Sequence, residues 1–594
     1  MSKITNNILN LVTSISLLLL VYSLFILRGI PPEGYTSNIY EQLPFHFYLT
    51  LLLCYLSACV LLLAYRKISA VLILLLVHIT VLIIPYILGY VSVGRGEEFP
   101  YIGLAGQSAL SDPAGFSSLS PTGPLLVSAM SLISGLETWV LSYFLPVFFS
   151  IMFITGMFLF YRIFMSREKL VSVAFLSSLI PYFGHFQASV APYYLCFCLV
   201  PLYLFVLRNA LSDKNRAMGV CLLFMLPLIP LAHPFIFAYL VCFSLSLIFS
   251  STILKPGFLL KIRSLNFLSG SSRGRKVPVF IFLSFVSGGF LLYAKYAPQF
   301  LDVFLSTLVL RTETLMATAF SRVPGTENGF FEFVHLLNLY YGKYYIPLIF
   351  ILINSVIVWQ NRKRFCHHFV RRYPRFLILY IVTFFLELAF LLNPFLPYPP
   401  DRFANLSFII FAQIPLMGYS LYVIFLRKGY TLGLGSAVLV LCLLWTLGFF
   451  TCFSSPYTGG ISEVVSQNEV EGIQWLCGVK ETYPYIMSSG SEDGSNTLPG
   501  TFSGNLSRSA EFAEVSSRPI YASKSDSEGI IPLDKTEEEP FYLVVTTFSE
   551  ALSLNEQGSD ETPVFTGNTS RAQNDYLVHK IYDSLNIEIY KYKP

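Results

Sequence analysis

The run Gly94-Arg95-Gly96-Glu97-Glu98 sets two adjacent carboxylates and a guanidinium in a glycine-rich connection between apolar stretches of this chain. A carboxylate held at a membrane surface can take the proton of an attacking hydroxyl. A nearby cation can hold the phosphate that leaves. On that chemistry Glu97 is the candidate general base, Glu98 assists it or binds a metal, and Arg95 is a phosphate ligand. The competing reading is a solvated acidic loop. Arg402 follows the proline-rich turn Asn393–Asp401, and its forked donors also suit a phosphate; an ion pair with Asp401 is the alternative. Glu387 lies within the apolar run FFLELAF, where an ionisable group needs a partner, water or a transport role. His185 in GHFQASVAPYYL and His233 in PLAHPFIF fall at span ends, where an imidazole can bind a headgroup, relay a proton or simply pack. No HExxH, P-loop, GxSxG or complete dinucleotide fingerprint is present, so neither proteolysis nor nucleotide hydrolysis has support.

The elements that position these groups follow from hydropathy. The chain has 594 residues, of which 54% are hydrophobic and 12% charged, with a mean hydropathy of +0.62. No soluble fold hides that much apolar surface, so a polytopic α-helical membrane protein is expected. Crossing the hydrocarbon core takes about 20 apolar residues. By that measure about thirteen spans are expected, near 8–27, 46–65, 68–90, 139–161, 170–184, 191–207, 218–232, 234–254, 277–294, 344–360, 376–394, 403–426 and 430–452. Alternate connections are basic: Arg66-Lys67, Arg162 with Arg167 and Lys169, Arg208 with Lys214 and Arg216, the 255–276 and 362–375 segments, and Arg427-Lys428. The positive-inside rule puts these in the cytoplasm. It also puts the amino terminus inside, the carboxy terminus outside, and long outer loops at 91–138 and 295–343. Residues 299–310, QFLDVFLSTLVL, read as an interfacial helix or a short broken span.

Residues 1–453 thus form a transmembrane domain, and residues 454–594 an extracytoplasmic soluble α/β domain. From residue 455 onward the chain holds 9 Lys and Arg against 21 Asp and Glu, so the membrane part carries the positive excess. Glu469–Leu476 predicts a helix, and Phe541–Phe548 and Ile587–Tyr592 predict buried strands. Asn505 and Asn568 open glycosylation sequons. The ten cysteines show no paired CxxC spacing; Cys452 and Cys477 either meet in the tail or remain two free thiols.

Several stretches resemble the large membrane glycosyltransferases of the GT-C fold, in particular archaeal-type multi-span members with an outer carboxy-terminal domain. They are GYTSNIYEQLP (34–44), GRGEEFPYIG (94–103), HFQASVAPYYLCFCLVPLYLF (185–205), AHPFIFAYL (232–240), SSPYTGG with EVEGIQWL (454–476), and HKIYDSLNIEIYK (579–591). The resemblance implies a GT-C-like architecture and a polyprenyl-phosphate-linked sugar donor. It also implies catalysis at the outer face for cell-surface glycoconjugate synthesis, on a protein, glycan or lipid acceptor. Glu97 and Glu98 would be catalytic, and Arg95, Arg402, His185, His233 and Glu387 would bind substrate. The pattern departs from the family in a divergent way: Glu97 stands for an aspartate, Tyr101 for a histidine, and Ser118–Pro124 lacks a second histidine. The cofactor is unknown, with a divalent Mg or Mn ion left open. The bilayer is an expected partner and nucleic acid is not. The alternatives are a transporter or flippase of a lipid-linked or hydrophobic solute, coupled through Glu387, and a catalytically inactive membrane scaffold.

Overall fold

The computed structural model describes residues 3–210 except short connections and the 95–121 segment. It further describes residues 217–222 and scattered helical positions between 225 and 385, residues 407–479 with short breaks, and strands at 485–488, 541–546, 578–584 and 587–592. Helices α1 (Lys3–Arg28), α2 (Phe45–Leu63), α3 (Lys67–Ile87), α4 (Thr122–Ser134), α5 (Thr138–Phe164), α6 (Glu168–Ser178) and α7 (Pro192–Ala210) come first. Strand β1 (Tyr90–Ser92) lies between α3 and α4. After the largely undescribed middle come α8 (Ser407–Leu421), which runs on as a π turn to Leu426, and α9 (Thr431–Phe450). Parts of α1, α2, α3, α5 and α9 are long and apolar enough to cross a membrane. The protein is therefore a multi-pass α-helical membrane protein, because such helices satisfy every backbone polar group internally. The spans expected between 218 and 394 lie largely outside the described residues, as do the loop at 295–343 with its interfacial stretch, and both sequons.

Two expectations change. The span expected at 170–184 is a shorter helix, α6, ending at Ser178, after which a 3-10 turn at Gly184–Ala188 leads towards α7. The outer loop expected at 91–138 contains α4. Its sequence TGPLLVSAMSLIS starts with a proline in the first turn, where the missing N–H costs nothing, and continues with apolar residues.

Helix contacts are close where residues are small. A Cβ on Gly418 of α8 would lie 2.5 Å from the Cα of Ala174 on α6, so the two backbones meet without a side chain between them. Aromatic rings fill wider gaps. Tyr55 of α2 stacks on Trp445 of α9 with centroids 4.9 Å apart, and Phe153 of α5 stacks on Phe197 of α7. Leu11, Leu18 and Phe25 remain exposed on α1, as an apolar helix facing lipid requires.

The connections gather at two ends. The Lys67 ammonium at the start of α3 pairs with Glu168 at the start of α6, bringing together the basic α2–α3 and α5–α6 connections. The α1–α2 connection, β1, the 3-10 turn before α7 and the segment after α9 are joined to one another at the other end, as described below.

The tail begins with β2 (Val465–Ser466) and α10 (Gln467–Val479), and continues with β3 (Tyr485–Ser488), β4 (Phe541–Thr546), β5 (Val578–Ser584) and β6 (Ile587–Tyr592). These last four form a sheet in the order β3-β4-β6-β5, with β3 and β4 parallel and the other pairs antiparallel. Ser466 and Glu469 make a capping box: the Ser466 N–H donates to the Glu469 carboxylate at 2.9 Å, and the Glu469 N–H donates to Ser466 Oγ at 3.4 Å. That exchange satisfies two donors at the helix start. Helix α10 packs on the sheet, with the Trp475 and Tyr582 rings 4.8 Å apart. The helix and strands expected at 469–476, 541–548 and 587–592 are thus present. Cys452 is a buried free thiol, so it forms no bridge with Cys477.

Candidate functional site at one end of the bundle

The chain reaches the acidic loop from α3 through Gly89, whose φ of +91° turns it into β1; that backbone conformation suits glycine because a Cβ would clash. Strand β1 then pairs antiparallel with β2, Tyr90 opposite Ser466 and Ser92 opposite Val465. The root of the acidic loop is therefore fastened to the first strand of the tail, more than 370 residues away by about the count of intervening positions. Ser92 Oγ and the Gly94 backbone hydrogen-bond at 3.3 Å, which carries the ordered path up to the glycine before Arg95.

Tyrosines complete the mount. Tyr90 donates its hydroxyl to the Gly34 carbonyl at 2.9 Å and to Gln42 Oε1 at 3.2 Å. Tyr35 donates to the Ser462 carbonyl at 2.9 Å, and the Ser462 N–H returns a bond to the Ser37 carbonyl at 3.0 Å. The Tyr40 hydroxyl donates to the Phe449 carbonyl at 2.7 Å and accepts from the Phe453 N–H at 2.9 Å. It thereby closes the last turn of α9, whose terminal carbonyls lack helical partners. Burial pushes the Tyr40 phenol well above its ordinary value, with the neighbouring Cys452 adding to the rise, so it stays a proton donor. Asn38 starts the 3-10 turn Ile39–Gln42 by accepting from the Tyr40 N–H at 3.2 Å, and Tyr86 donates to the Ala188 carbonyl at 2.8 Å. Four connections distant in sequence thus form one platform from which the acidic loop departs.

Among the residues singled out from sequence, Arg95, Glu97, Glu98, His233, Glu387 and Arg402 lie outside the described residues. His185 is placed in its backbone alone, in the 3-10 turn Gly184–Ala188, beside the Tyr86 anchor of the platform. Among the described residues, no group of three or more His, Cys, Asp or Glu that could hold a metal ion occurs.

A polar cluster inside the bundle escaped the sequence reading. His78 of α3 shares a hydrogen bond of 2.7 Å with Ser150 of α5, and Gln187 of the 3-10 turn reaches His78 Nε2 at 3.4 Å. All three are buried. His78 is the one imidazole in the 21-residue helix α3, and a lone imidazole within a span was the available signal.

No family model matches the chain, and no curated protein matches it. Among solved structures, the chain is similar to ArnT from Cupriavidus metallidurans bound to undecaprenyl phosphate. Identity is 12%, over 88% of this chain and 98% of that one, with a TM-score of 0.44. For ArnT from Cupriavidus metallidurans in the apo state, identity is 11%, over 88% and 97%, with a TM-score of 0.42.

Proposed function

We propose that this protein is a GT-C-type transferase that moves a sugar from a polyprenyl-phosphate donor to an acceptor hydroxyl at the outer membrane face. The observation that carries the reading is the β1–β2 pairing with its tyrosine bonds. It mounts the start of the Arg95-Gly96-Glu97-Glu98 loop on a platform at the end of the bundle away from the Lys67–Glu168 pair. A general base acts only when held within hydrogen-bonding reach of the hydroxyl it deprotonates, and a fixed loop root serves that need. In this reading Glu97 takes the acceptor's proton as the sugar–phosphate bond breaks. Glu98 assists or binds a metal, Arg95 and Arg402 hold the departing lipid phosphate, and His185, His233 and Glu387 contact substrate. The tail, at the outer face, positions the acceptor.

The test is transfer from a polyprenyl-phosphate sugar by the purified chain, with donor binding followed by native mass spectrometry. Glu97→Gln is expected to lower transfer by about 10²–10⁴-fold at unchanged expression and unchanged donor binding, whereas Arg402→Ala weakens binding of the donor. Wild-type transfer by Glu97→Gln would overturn the assignment.

A further inference from the structure

At the opposite end of the bundle, a cleft of about 730 Å³ opens between α3, α5 and α6. Its size falls within the roughly 300–1,000 Å³ of ordinary ligand sites. Three charged groups stand at its mouth: Lys67 at the start of α3, Arg162 in the last turn of α5, and Glu168 in the first turn of α6. Its walls are mostly apolar, with Val71 and Leu75 of α3, Ile154 and Phe158 of α5 and Phe175 of α6, and the hydroxyls of Thr155 and Ser172 among them. Both α3 and α5 line the cleft over eight residue steps, from Lys67 to Leu75 and from Arg162 to Ile154. At 1.5 Å per residue that is a depth of roughly 12 Å. The Arg162 guanidinium lies over the Phe158 ring, 5.6 Å from its centroid, so the charged head and the apolar wall are parts of one surface.

We propose that this cleft is a binding site for an anionic phosphoglyceride of the surrounding leaflet, with its phosphodiester between Lys67 and Arg162 and one acyl chain along the α3–α5 wall. The charge fits. Lys67, Arg162 and Glu168 sum to one positive charge, which matches the single negative charge of a phosphodiester. The two connections at the mouth carry Arg66, Lys67, Arg162, Arg167 and Lys169 against one acid, Glu168. Such basic pockets between spans on the cytoplasmic side favour anionic headgroups, and the positive-inside bias assigns this end to that side. Lys67 pairs with Glu168, and Arg162 also acts on that carboxylate, so an incoming phosphate competes with Glu168 for the two cations. The proposal does not rest on the outer-face reading, since it uses neither the acidic loop nor the tail.

The experiment is titration of the purified full-length protein in detergent with phosphatidylglycerol, phosphatidylcholine and polyprenyl phosphate, read by native mass spectrometry. Saturable binding of phosphatidylglycerol at one site is expected, weakened about 30-fold in the Lys67→Gln/Arg162→Gln double variant. Glu168→Gln, which removes the repelling carboxylate and keeps both cations, is expected to tighten it about fivefold. If the double variant loses its fold, the Glu168→Gln result decides alone. Equal binding of phosphatidylcholine, unchanged affinity in a folded double variant, or displacement of phosphatidylglycerol by polyprenyl phosphate at equal concentration would each overturn the proposal.

Discussion

Tyr40 shows how a single hydroxyl holds distant parts of this chain together. Its oxygen serves one buried N–H and one buried carbonyl at the end of α9, and it is reached from a connection about 400 positions earlier in sequence. Tyr40→Phe keeps the ring, removes the acceptor of the Phe453 N–H, and leaves the Phe449 carbonyl with its bond from the Cys452 N–H alone. It is expected to lower stability by about 1–3 kcal/mol, seen as a fall in the thermal midpoint of the detergent-solubilised protein. Removing the Lys67–Glu168 pair has a different signature. Lys67 holds the Glu168 carboxyl below its ordinary value of 4.5 by hydrogen bonding and charge. A depressed carboxyl contributes stability above its unfolded value, and this is lost as pH falls through the lower folded value. Wild type should therefore be more stable than Glu168→Gln at neutral pH, by a small and salt-sensitive margin because the group is exposed. The two melting curves should coincide once pH drops well below 4.5. None of these pairings is legible locally. Tyr35 and Tyr40 stand in the α1–α2 connection, Tyr86 in α3 and Tyr90 in β1, and nearly all their partners are backbone atoms that carry no sequence signal.

At the scale of elements, the apolar runs were legible because a bilayer demands length and hydropathy together. The helices α1, α2, α3, α5 and α9 fall within a few residues of the expected spans. Helix α4 was missed because the serine and proline run before it reads as loop, although Pro124 in the first turn followed by Leu125, Leu126 and Val127 is a helix start. The opposite error came at 170–184, where hydropathy continued beyond the helix and Pro181 with Gly184 ended it. Helix packing is likewise set by small residues whose partners are invisible in sequence. Gly418 touches Ala174 directly, so Gly418→Leu must push α8 from α6. A loss of about 1–3 kcal/mol or more is expected, measured as lower yield of monodisperse protein and a lower melting temperature. Unchanged melting would mean that α6 and α8 do not pack as described.

Across the whole molecule, the two-ended arrangement of connections gives the charge pattern a physical meaning. Basic connections meet at the Lys67–Glu168 end, and the acidic loop's root, the tyrosine anchors and the tail's first strand meet at the other. If the bias in lysine and arginine sets orientation, a protease-sensitive tag after Pro594 should be cut in intact cells, while one placed before Lys3 is protected. Cutting of both, or of the amino-terminal tag alone, would reverse the sidedness on which the outer-face reading depends.

By itself, the sequence determined that the chain is a membrane protein, where most of the described spans begin and end, and which polar groups stand out against lipid. Those properties depend on composition and short-range periodicity, which the bilayer reads directly. Only the tertiary structure decided that β1 pairs with β2, that four separate connections form one platform at the root of the acidic loop, and that His78, Ser150 and Gln187 share a buried site. The cleft between α3, α5 and α6 was decided there too. Each joins residues far apart in the chain through backbone groups, side-chain hydrogen bonds or shape, and none leaves a periodic trace in the order of amino acids.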